Sequence, residues 1–191
     1  MESVAAPEVS IALETPVSTI EDFDAVARLY WPVVFRFLFA SLHDRDAAET
    51  LTQDCFLKAY RHRERFRGDA SVKTWLMQIA VNLVRDYARN RRLQFWKRTR
   101  SSKVDLNEVS QFVPDEQSSP EEQTLNRELV RAVWGAAAAL PERQHTVLLL
   151  RYVEDMDLLE IARVTGIKEG TVKAHLFRAL HSIRERLGGE E

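Results

Sequence analysis

"DLLEIARVTGIKEGTVKAHLFRAL", residues 157–180, carries the clearest structural signal in the chain. Apolar residues recur at helical spacing on both sides of Gly166, which predicts two helices joined by a short turn. A glycine at that point readily takes the positive φ that such a turn requires. Ile161 and Ala162 lie on the first predicted helix, and the small Ala162 permits a close helix crossing.

The second helix of this stretch divides into an apolar and a basic face. The residues predicted to face inward are Ile167, Val172 and Leu176, and those predicted to stay outside are Lys168, Lys173, His175 and Arg178. This spacing is typical of a helix-turn-helix, whose second helix enters the major groove of DNA. The alternative is an ordinary pair of helices in a bundle.

A second patterned stretch, "TWLMQIAVNLVRDYARNRR", occupies residues 74–92. Its helical apolar stripe is Trp75, Ile79, Leu83 and Tyr87, and its other face runs from Gln78 and Asn82 to a series of arginines. Residues 61–100 hold 12 basic and 3 acidic side chains, although the whole chain has a net charge of −2. A basic block between acidic flanks predicts a local polyanion site. The alternative is a solvated helix face.

The remaining pattern predicts an all-α protein of two small helical domains joined by a flexible linker. Residues 1–19 are expected to be a disordered tail, and a capping box from Ser18 to Glu21 predicts the start of a first bundle over residues 20–98. Within that bundle a second helix should run from Arg45 to Arg61. Residues 99–126 are polar, acidic and interrupted by prolines, as linkers are. Residues 127–188 form the second domain. The predicted buried residues of the second helix are Ala48, Leu51, Cys55 and Tyr60.

Enzymatic functions are disfavoured. The five histidines are scattered without metal-ligand spacing, and no Gly-rich phosphate loop is present. Cys55 falls on an apolar helix stripe and is predicted to be a packed core thiol. We therefore expect no catalysis, cofactor or metal. No signal peptide and no apolar run near the length of a membrane span were found, so a cytoplasmic protein without membrane insertion is expected.

Two long stretches carry a resemblance to a known family. "AETLTQDCFLKAYRHRERFRGDASVKTWLMQIAVNLVRDYARNRR" and "LPERQHTVLLLRYVEDMDLLEIARVTGIKEGTVKAHLFRAL" resemble bacterial RNA polymerase sigma factors of the small extracytoplasmic-function (ECF) type, within the sigma-70 family. The resemblance covers about residues 22–98 and 127–187. The family has two folded domains, regions 2 and 4, joined by a linker. The resemblance implies a factor that binds polymerase core and directs promoter-specific initiation.

The resemblance implies that region 2 holds the promoter −10 element as opened single strand. Asn82 matches a position that contacts a base, which suits an amide because it offers both donors and acceptors. The loop "RFRGDASV", residues 65–72, would accept a flipped base. The −10 residues implied are Arg67, Gly68, Asp69, Trp75, Asn82, Arg85, Arg89, Arg91 and Arg92.

The resemblance also implies a −35 surface and a polymerase surface. The −35 residues implied on region 4 are Arg151, Thr171, Lys173, Ala174, His175, Phe177 and Arg178. The residues implied to contact the β′ clamp helices are Gln53, Asp54, Phe56, Leu57 and Lys58. For the apolar Phe56 and Leu57, a place in the core is an equal alternative. The implied partners are polymerase core, through its β′ clamp helices and β flap, promoter DNA and an anti-sigma factor, with a role in stress response.

The sequence departs from the family at several positions. Val72 and Met77 stand where the family often has aromatics, which predicts a thinner surface for stacking unpaired bases. Ala174 and His175 replace a common Ser-Arg pair, so the −35 preference cannot be copied from relatives.

Two other functions stay open from the residues alone. One is a regulator that binds duplex DNA through residues 150–180 and uses the first bundle for dimerisation or sensing. The other is a helical adaptor that binds only protein. Transcription started by purified chain and bare core polymerase would separate the sigma function from both.

Overall fold

The computed structural model of the chain describes residues 22–95 and 120–188, and within them the side chains of residues 22–90 and 128–188. These residues form helices and connecting turns without a strand, so the predicted all-α class is confirmed. The helices are α1 (Phe23–Leu42), α2 (Arg45–His62), α3 (Val72–Phe95), α4 (Pro120–Ala138), α5 (Glu142–Tyr152), α6 (Leu158–Thr165) and α7 (Glu169–Gly188), with a 3-10 turn at Arg63–Arg65. We call α1–α3 the first half and α4–α7 the second half.

The first two helices begin at aspartate caps. The Asp22 carboxylate accepts a hydrogen bond from the Ala25 amide at 3.0 Å, and Asp44 does the same for Ala47. Such caps satisfy amides that have no partner inside the helix. The predicted cap at Ser18 lies outside the described residues, as does the predicted tail, residues 1–19.

The second half begins earlier than the predicted domain boundary. Helix α4 starts at Pro120, whereas the linker was expected to run to residue 126. Proline is well suited to the first turn of a helix because its missing N–H would have no helical partner there. Reading Pro120 only as an interruption therefore placed the helix start too late. The rest of the predicted linker, residues 99–119, lies outside the described residues.

The predicted helix-turn-helix is present as α6, a turn and α7. Asp157 and Glu160 form a reciprocal capping box at the start of α6, with the Glu160 amide 2.7 Å from the Asp157 carboxylate. Gly166 ends the helix in the left-handed conformation with φ of 72°, as the sequence predicted. The capping box therefore determines where α6 begins, and Gly166 determines where it turns into α7.

One hydrophobic core joins the two halves, and a second, smaller cluster lies within the second half. Phe37 and Leu38 on α1 belong to the same buried cluster as Leu150 on α5 and Ile161 on α6. Helix α1 has the length and apolar composition of a membrane-spanning helix, which the sequence analysis did not anticipate. Its side chains Phe37, Leu38 and Phe39 are buried in this core, and burying such side chains stabilises a fold by roughly 1.5–3 kcal/mol each.

The buried face of α3 is rotated from the predicted stripe. Trp75, Ile79 and Tyr87 are only half-buried, whereas Leu76 and Met77 are fully enclosed. Val72 is buried as well. Val72 and Met77 therefore belong to the core, and the prediction that they thin a base-stacking surface was wrong.

Helix α2 follows its predicted burial in part. Ala48 and Cys55 are fully buried, but Tyr60 is 48% exposed and its prediction as a core residue was wrong. Its ring instead packs edge-on against Phe23 and lies under the Arg63 guanidinium, 4.1 Å from the ring centroid. The aromatic ring of a tyrosine can thus pack at the edge of the bundle while its hydroxyl group remains in contact with water.

Two histidines meet where the halves join. His43, at the C-terminal end of α1, stacks on His145, in the first turn of α5, with ring centroids 5.8 Å apart. Both Nε2 atoms are buried without a hydrogen-bond partner. Burial lowers the pKa of His43, and burial together with the neighbouring His43 lowers the pKa of His145 to about 4. Both rings are therefore neutral at pH 7.

Acid should destabilise the protein through His145. The pKa of a free histidine is 6.5 and that of His145 is about 4, so the unfolded chain takes up this proton first. The contribution of His145 to the free energy of unfolding is fully present above pH 6.5 and is lost as the pH falls below that value. We expect urea unfolding to show a loss of about 2 kcal/mol between pH 7.5 and pH 5 from this residue.

The matched comparison is His145→Gln, which cannot take up the proton. Burial raises the pKa of Glu154, so that residue contributes a pH dependence of opposite sign, and comparing the two proteins cancels it. Equal pH slopes in wild type and variant would contradict this role of His145.

Candidate nucleic-acid interface

A cavity opens beside the loop between the 3-10 turn and α3. Gly68 has φ of 74°, which glycine adopts without the strain that a side chain would bring. The cavity has a volume of about 500 Å³. Its walls are Arg65, Phe66, Arg67, Gly68, Asp69, Ala70, Thr74, Trp75, Gln78 and Arg163.

Aromatic and polar groups share the walls of this cavity. The rings of Phe66 and Trp75 lie 5.3 Å apart at 51°, so the indole is held beside the loop. Arg67 and Gln78 are exposed around the aromatic pair. Aromatic faces with arginines and an amide nearby are suited to an unpaired base and its phosphate. The sequence analysis predicted the loop over residues 65–72, which includes Phe66 and Arg67, and named Trp75, but it did not name Gln78 as a contact residue.

The base-contact candidate lies further along α3. Asn82 is exposed, and the Arg85 guanidinium approaches its side-chain oxygen at 3.5 Å. Arg85 also donates to the Thr165 carbonyl of α6 at 2.8 Å. Arg89 pairs with Asp86 at 2.9 Å on the surface. Arg91 and Arg92 continue the helix, but their side chains are outside the described set.

A second basic surface lies on the exposed side of α7. Phe177 is 71% exposed and stacks on His181 with ring centroids 6.3 Å apart. Lys173 pairs with Glu169 at 2.7 Å, and the Arg178 Nε atom donates to the Ala174 carbonyl at 3.1 Å. Thr171 is exposed on the same helix. An exposed aromatic beside cations on one helix is suited to groove contacts with thymine methyls and phosphates.

Three predicted −35 residues are less accessible. Ala174 and His175 are half-buried, and the Nδ1 atom of His175 is buried without a partner. Burial, then Arg178 and Arg143, lower the pKa of His175, so it adds little positive charge at pH 7. Arg151 donates to the Met156 carbonyl at 3.0 Å and so braces the turn before α6.

The predicted polymerase-contacting residues divide between surface and core. Gln53, Asp54, Leu57 and Lys58 are exposed on α2, with Leu57 46% exposed. Phe56 is buried and stacks on Trp31 with centroids 5.4 Å apart. Of the two alternatives for Phe56, the structure therefore supports the core.

Cys55 is a core thiol, as the sequence predicted. It is fully buried, and burial raises the pKa of its thiol to about 12, so no thiolate forms near pH 7. Among residues 22–95 and 120–188, no three His, Cys, Asp or Glu side chains gather as metal ligands would.

Comparison with known proteins identifies the family. Residues 26–94 match the family described as Sigma-70 region 2, and residues 130–183 match Sigma-70, region 4. The chain belongs to the sigma-70 family. The sigma-H factor of Pseudomonas aeruginosa is 32% identical over 169 residues, which is 86% of each chain. The ECF sigma-E factor of Escherichia coli K12 is 34% identical over 141 residues, or 72% of each chain.

Solved structures agree on the fold. The sigma factor RpoE of Bartonella quintana, in complex with the anti-sigma factor NepR, superposes with a TM-score of 0.68 at 21% identity, covering 89% of this chain and 99% of that one. CnrH, in complex with the cytosolic domain of CnrY, gives 0.60 at 16% identity over 88% and 89% of the two chains. The chain is an ECF-type sigma factor that directs transcription, and it is not an enzyme. The first half is sigma region 2 and the second half is sigma region 4.

Proposed function

We propose that this sigma factor recognises a promoter at two places and docks on polymerase core through a third surface. The cavity at residues 65–70 and Asn82 hold the opened −10 strand. The exposed face of α7 reads the −35 duplex. The exposed residues of α2 bind the β′ clamp helices. The observation that carries the proposal is the aromatic and basic cavity, whose wall residue Gln78 lies about one turn of α3 before Asn82, because a pocket of that chemistry serves unpaired bases.

The cavity suits an unpaired base for physical reasons. Stacking on an aromatic ring contributes about 1–3 kcal/mol per base, comparable to the few kcal/mol that unstacking a base from its neighbours costs. The half-buried Trp75 offers such a ring, and Arg65 and Arg67 supply charge for the adjoining phosphates. A duplex-only regulator would have no need of this pocket.

The β flap is assigned to an apolar groove on region 4. Helices α4, α5 and α7 enclose a volume of about 540 Å³ that is lined mainly by apolar side chains. Leu129 and Tyr152 are 57% and 60% exposed at its rim. A groove of this kind is suited to an amphipathic segment of a protein partner.

Two further parts of the proposal follow from relatives. The B. quintana sigma factor was solved with an anti-sigma factor, and we propose that a partner of that class controls this chain. We also propose that the chain acts in the cytoplasm, where core polymerase is available. We propose that region 2 spans residues 20–98 and that region 4, predicted over residues 127–188, also includes the start of α4 from Pro120.

The decisive experiment is reconstituted transcription. Purified chain added to bare core polymerase should start transcripts at one position on a promoter selected from genomic fragments. No transcript, with retained binding to duplex DNA, would favour the regulator. No transcript and no DNA binding would favour the adaptor.

Asp54→Arg should weaken core binding at least tenfold. Asp54 is exposed on α2 between Gln53 and the exposed Leu57, and reversing its charge would place repulsion in the proposed interface. Competition against a labelled sigma factor for core measures the affinity. Unchanged affinity for core would show that this face of α2 is not part of the polymerase interface.

Glu49→Arg is the matched control. Glu49 is exposed on the same helix and makes the same change of charge. At 3.6 residues per turn it lies about 140° around the helix from Asp54. We expect Glu49→Arg to compete for core like the wild type, and circular dichroism should show equal helicity in both variants.

A further inference from the structure

His181 on α7 has no role in the proposed function, although it contacts Phe177, which does. The two rings are nearly parallel, at 7°, and their centroids lie 6.3 Å apart. On its other side, the His181 Nε2 atom lies 3.3 Å from the Glu185 carboxylate. The three side chains are spaced four residues apart, and residues at that spacing are neighbours on a helix surface. They form a row in which Glu185 contacts His181 and His181 contacts Phe177.

Every member of this row is exposed. Phe177 is 71% exposed, and the side chains of His181 and Glu185 are 62% and 66% exposed. Phe177 belongs to neither hydrophobic cluster of the described residues, so the core does not fix its ring. An exposed ring without support moves among rotamers, and ordering it on DNA costs entropy. Stacking on His181 lowers that cost because the ring is oriented before DNA binds.

The place of the row along α7 separates a reading residue from a supporting one. At 1.5 Å per residue, Phe177 lies about 12 Å from the start of the helix at Glu169, and His181 lies about 6 Å further on. A recognition helix contacts bases through its N-terminal residues, in a major groove about 12 Å wide. Phe177 can therefore reach a base edge, whereas His181 lies towards the outer end of the helix.

Glu185 is placed where its charge does not oppose DNA. Each step of four residues turns about 40° around the helix, so Glu185 lies about 80° around α7 from Phe177. A carboxylate on the DNA face would repel phosphates, and this offset moves Glu185 away from that face. Its remaining contact is with His181.

The chemistry of Phe177 indicates what it reads. In the major groove the apolar group that base pairs present is the C5-methyl group of thymine, and a phenyl ring suits it. Lys173 and Arg178 flank Phe177 along α7 and supply charge for phosphates. Because Phe177 has no hydrogen-bonding side-chain group, its selectivity depends on how closely the ring meets the methyl group.

We propose that His181 is a positioning residue for −35 recognition: it orients the Phe177 ring against a thymine methyl group, and Glu185 orients His181. The inference rests on the proposed −35 function of α7 and names the group that is read. The alternative is that the pair only stabilises α7, as paired side chains on a helix surface do. In that case His181 would affect binding to all DNA equally.

Uracil substitution tests the methyl contact, because uracil pairs like thymine and lacks the methyl group. The full chain is assembled with core polymerase. Competition binding then compares the selected duplex promoter with copies that carry uracil in place of each −35 thymine, on either strand. We expect one substitution to weaken wild-type binding about fourfold, as the loss of one buried methyl group would. Phe177→Ala should bind the two promoters equally.

Variants of His181 test the positioning. His181→Ala should reduce the thymine-to-uracil ratio of affinities below about twofold, whereas His181→Phe, which restores a stacking ring, should keep it near fourfold. Glu185→Ala should give an intermediate ratio, because it frees His181 without removing the ring. His62→Ala is the matched control, since His62 is an exposed histidine on α2, and it should keep the wild-type ratio.

The salt dependence of binding separates positioning from direct contact. His181→Ala should leave the slope of log affinity against log salt unchanged, because the residue acts through a ring and not on a phosphate. A slope lower by about one unit would mean that His181 itself holds a phosphate, and would overturn the positioning role. A fourfold ratio retained in His181→Ala would overturn it as well, and the same ratio retained in Glu185→Ala would overturn the part given to Glu185.

Two results from the wild type distinguish this inference from the function on which it rests. If no uracil substitution weakens binding while a scrambled −35 element does, the methyl contact is wrong and the −35 function stands. If a scrambled −35 element binds as tightly as the selected one, the proposed −35 function of α7 fails and the positioning role fails with it.

Discussion

Phe37→Ala should lower the free energy of unfolding by about 3–5 kcal/mol. Phe37 has no exposed surface and belongs to the core that both sigma regions share. Truncation removes the transfer free energy of the ring and leaves a cavity that rigid helices on several sides cannot fill. Domains of ordinary stability have only about 5–15 kcal/mol, so the loss would be a large fraction of the total. Urea unfolding followed by circular dichroism measures it.

Phe177→Ala is the control of the same chemistry. Phe177 is 71% exposed on α7, so its removal should change stability by no more than about 0.5 kcal/mol. If Phe37→Ala lowered the free energy of unfolding as little as Phe177→Ala, the core around Phe37 would not be what stabilises the fold. Because Phe37 and Trp134 belong to one hydrophobic cluster, the intrinsic tryptophan fluorescence, to which Trp134 of region 4 contributes, and the total helicity should also be lost together in Phe37→Ala.

The helices were largely predictable because their signals are local. The start of α2 at Arg45 and the turn at Gly166 follow from apolar spacing and backbone preference, and the structure places both where the sequence predicted. The errors have local causes too. A proline such as Pro120 can either interrupt a helix or begin one, and the sequence pattern does not distinguish the two. On α3 the predicted stripe named Trp75 and Ile79, but neighbours on α2 and α6 decided which face is buried.

The joint between the regions was not predictable from sequence pattern. Glu154 lies in "VEDMD", a stretch that reads as a solvated acidic turn. Its partner Arg36 is 118 residues away, and no local rule connects them. Arg85 reads as one more arginine of a basic helix end, whereas its contact with α6 is set by tertiary packing alone.

The candidate DNA site was predictable in its types of residue and less so in its geometry. Asn82 and Phe177 are exposed, as a contact role needs. Phe56 was ambiguous, because an apolar residue in an amphipathic helix reads the same whether it meets the core or a partner. Burial resolved that ambiguity. Gln78 and Arg163 entered the cavity through folding, and their own sequence context gave no signal for it.

Asn82→Ala and Arg178→Ala should separate the two DNA tasks. Loss of the Asn82 amide removes base-edge hydrogen bonds, so we expect discrimination at one −10 position to fall by about 1–3 kcal/mol. The defect should be as large on a promoter with a pre-opened −10 bubble as on a closed one, because the amide acts on opened strand. If Arg178 contacts a phosphate, its loss should weaken −35 duplex binding across sequences and lower the salt slope by roughly one unit. Transcription and binding on the two templates measure both effects.

Template choice makes this division of labour testable. A template with a pre-opened bubble and no −35 element offers nothing to α7, so Arg178→Ala should transcribe it like the wild type. Asn90→Ala is the control for α3, since Asn90 is an exposed asparagine on the same helix, eight residues beyond Asn82. It should leave −10 discrimination unchanged. If Arg178→Ala impaired the bubble template as strongly as Asn82→Ala, the two surfaces would not act on separate DNA elements. If Asn90→Ala lowered −10 discrimination as much as Asn82→Ala, the loss would reflect the polarity of α3 as a whole and not one base contact.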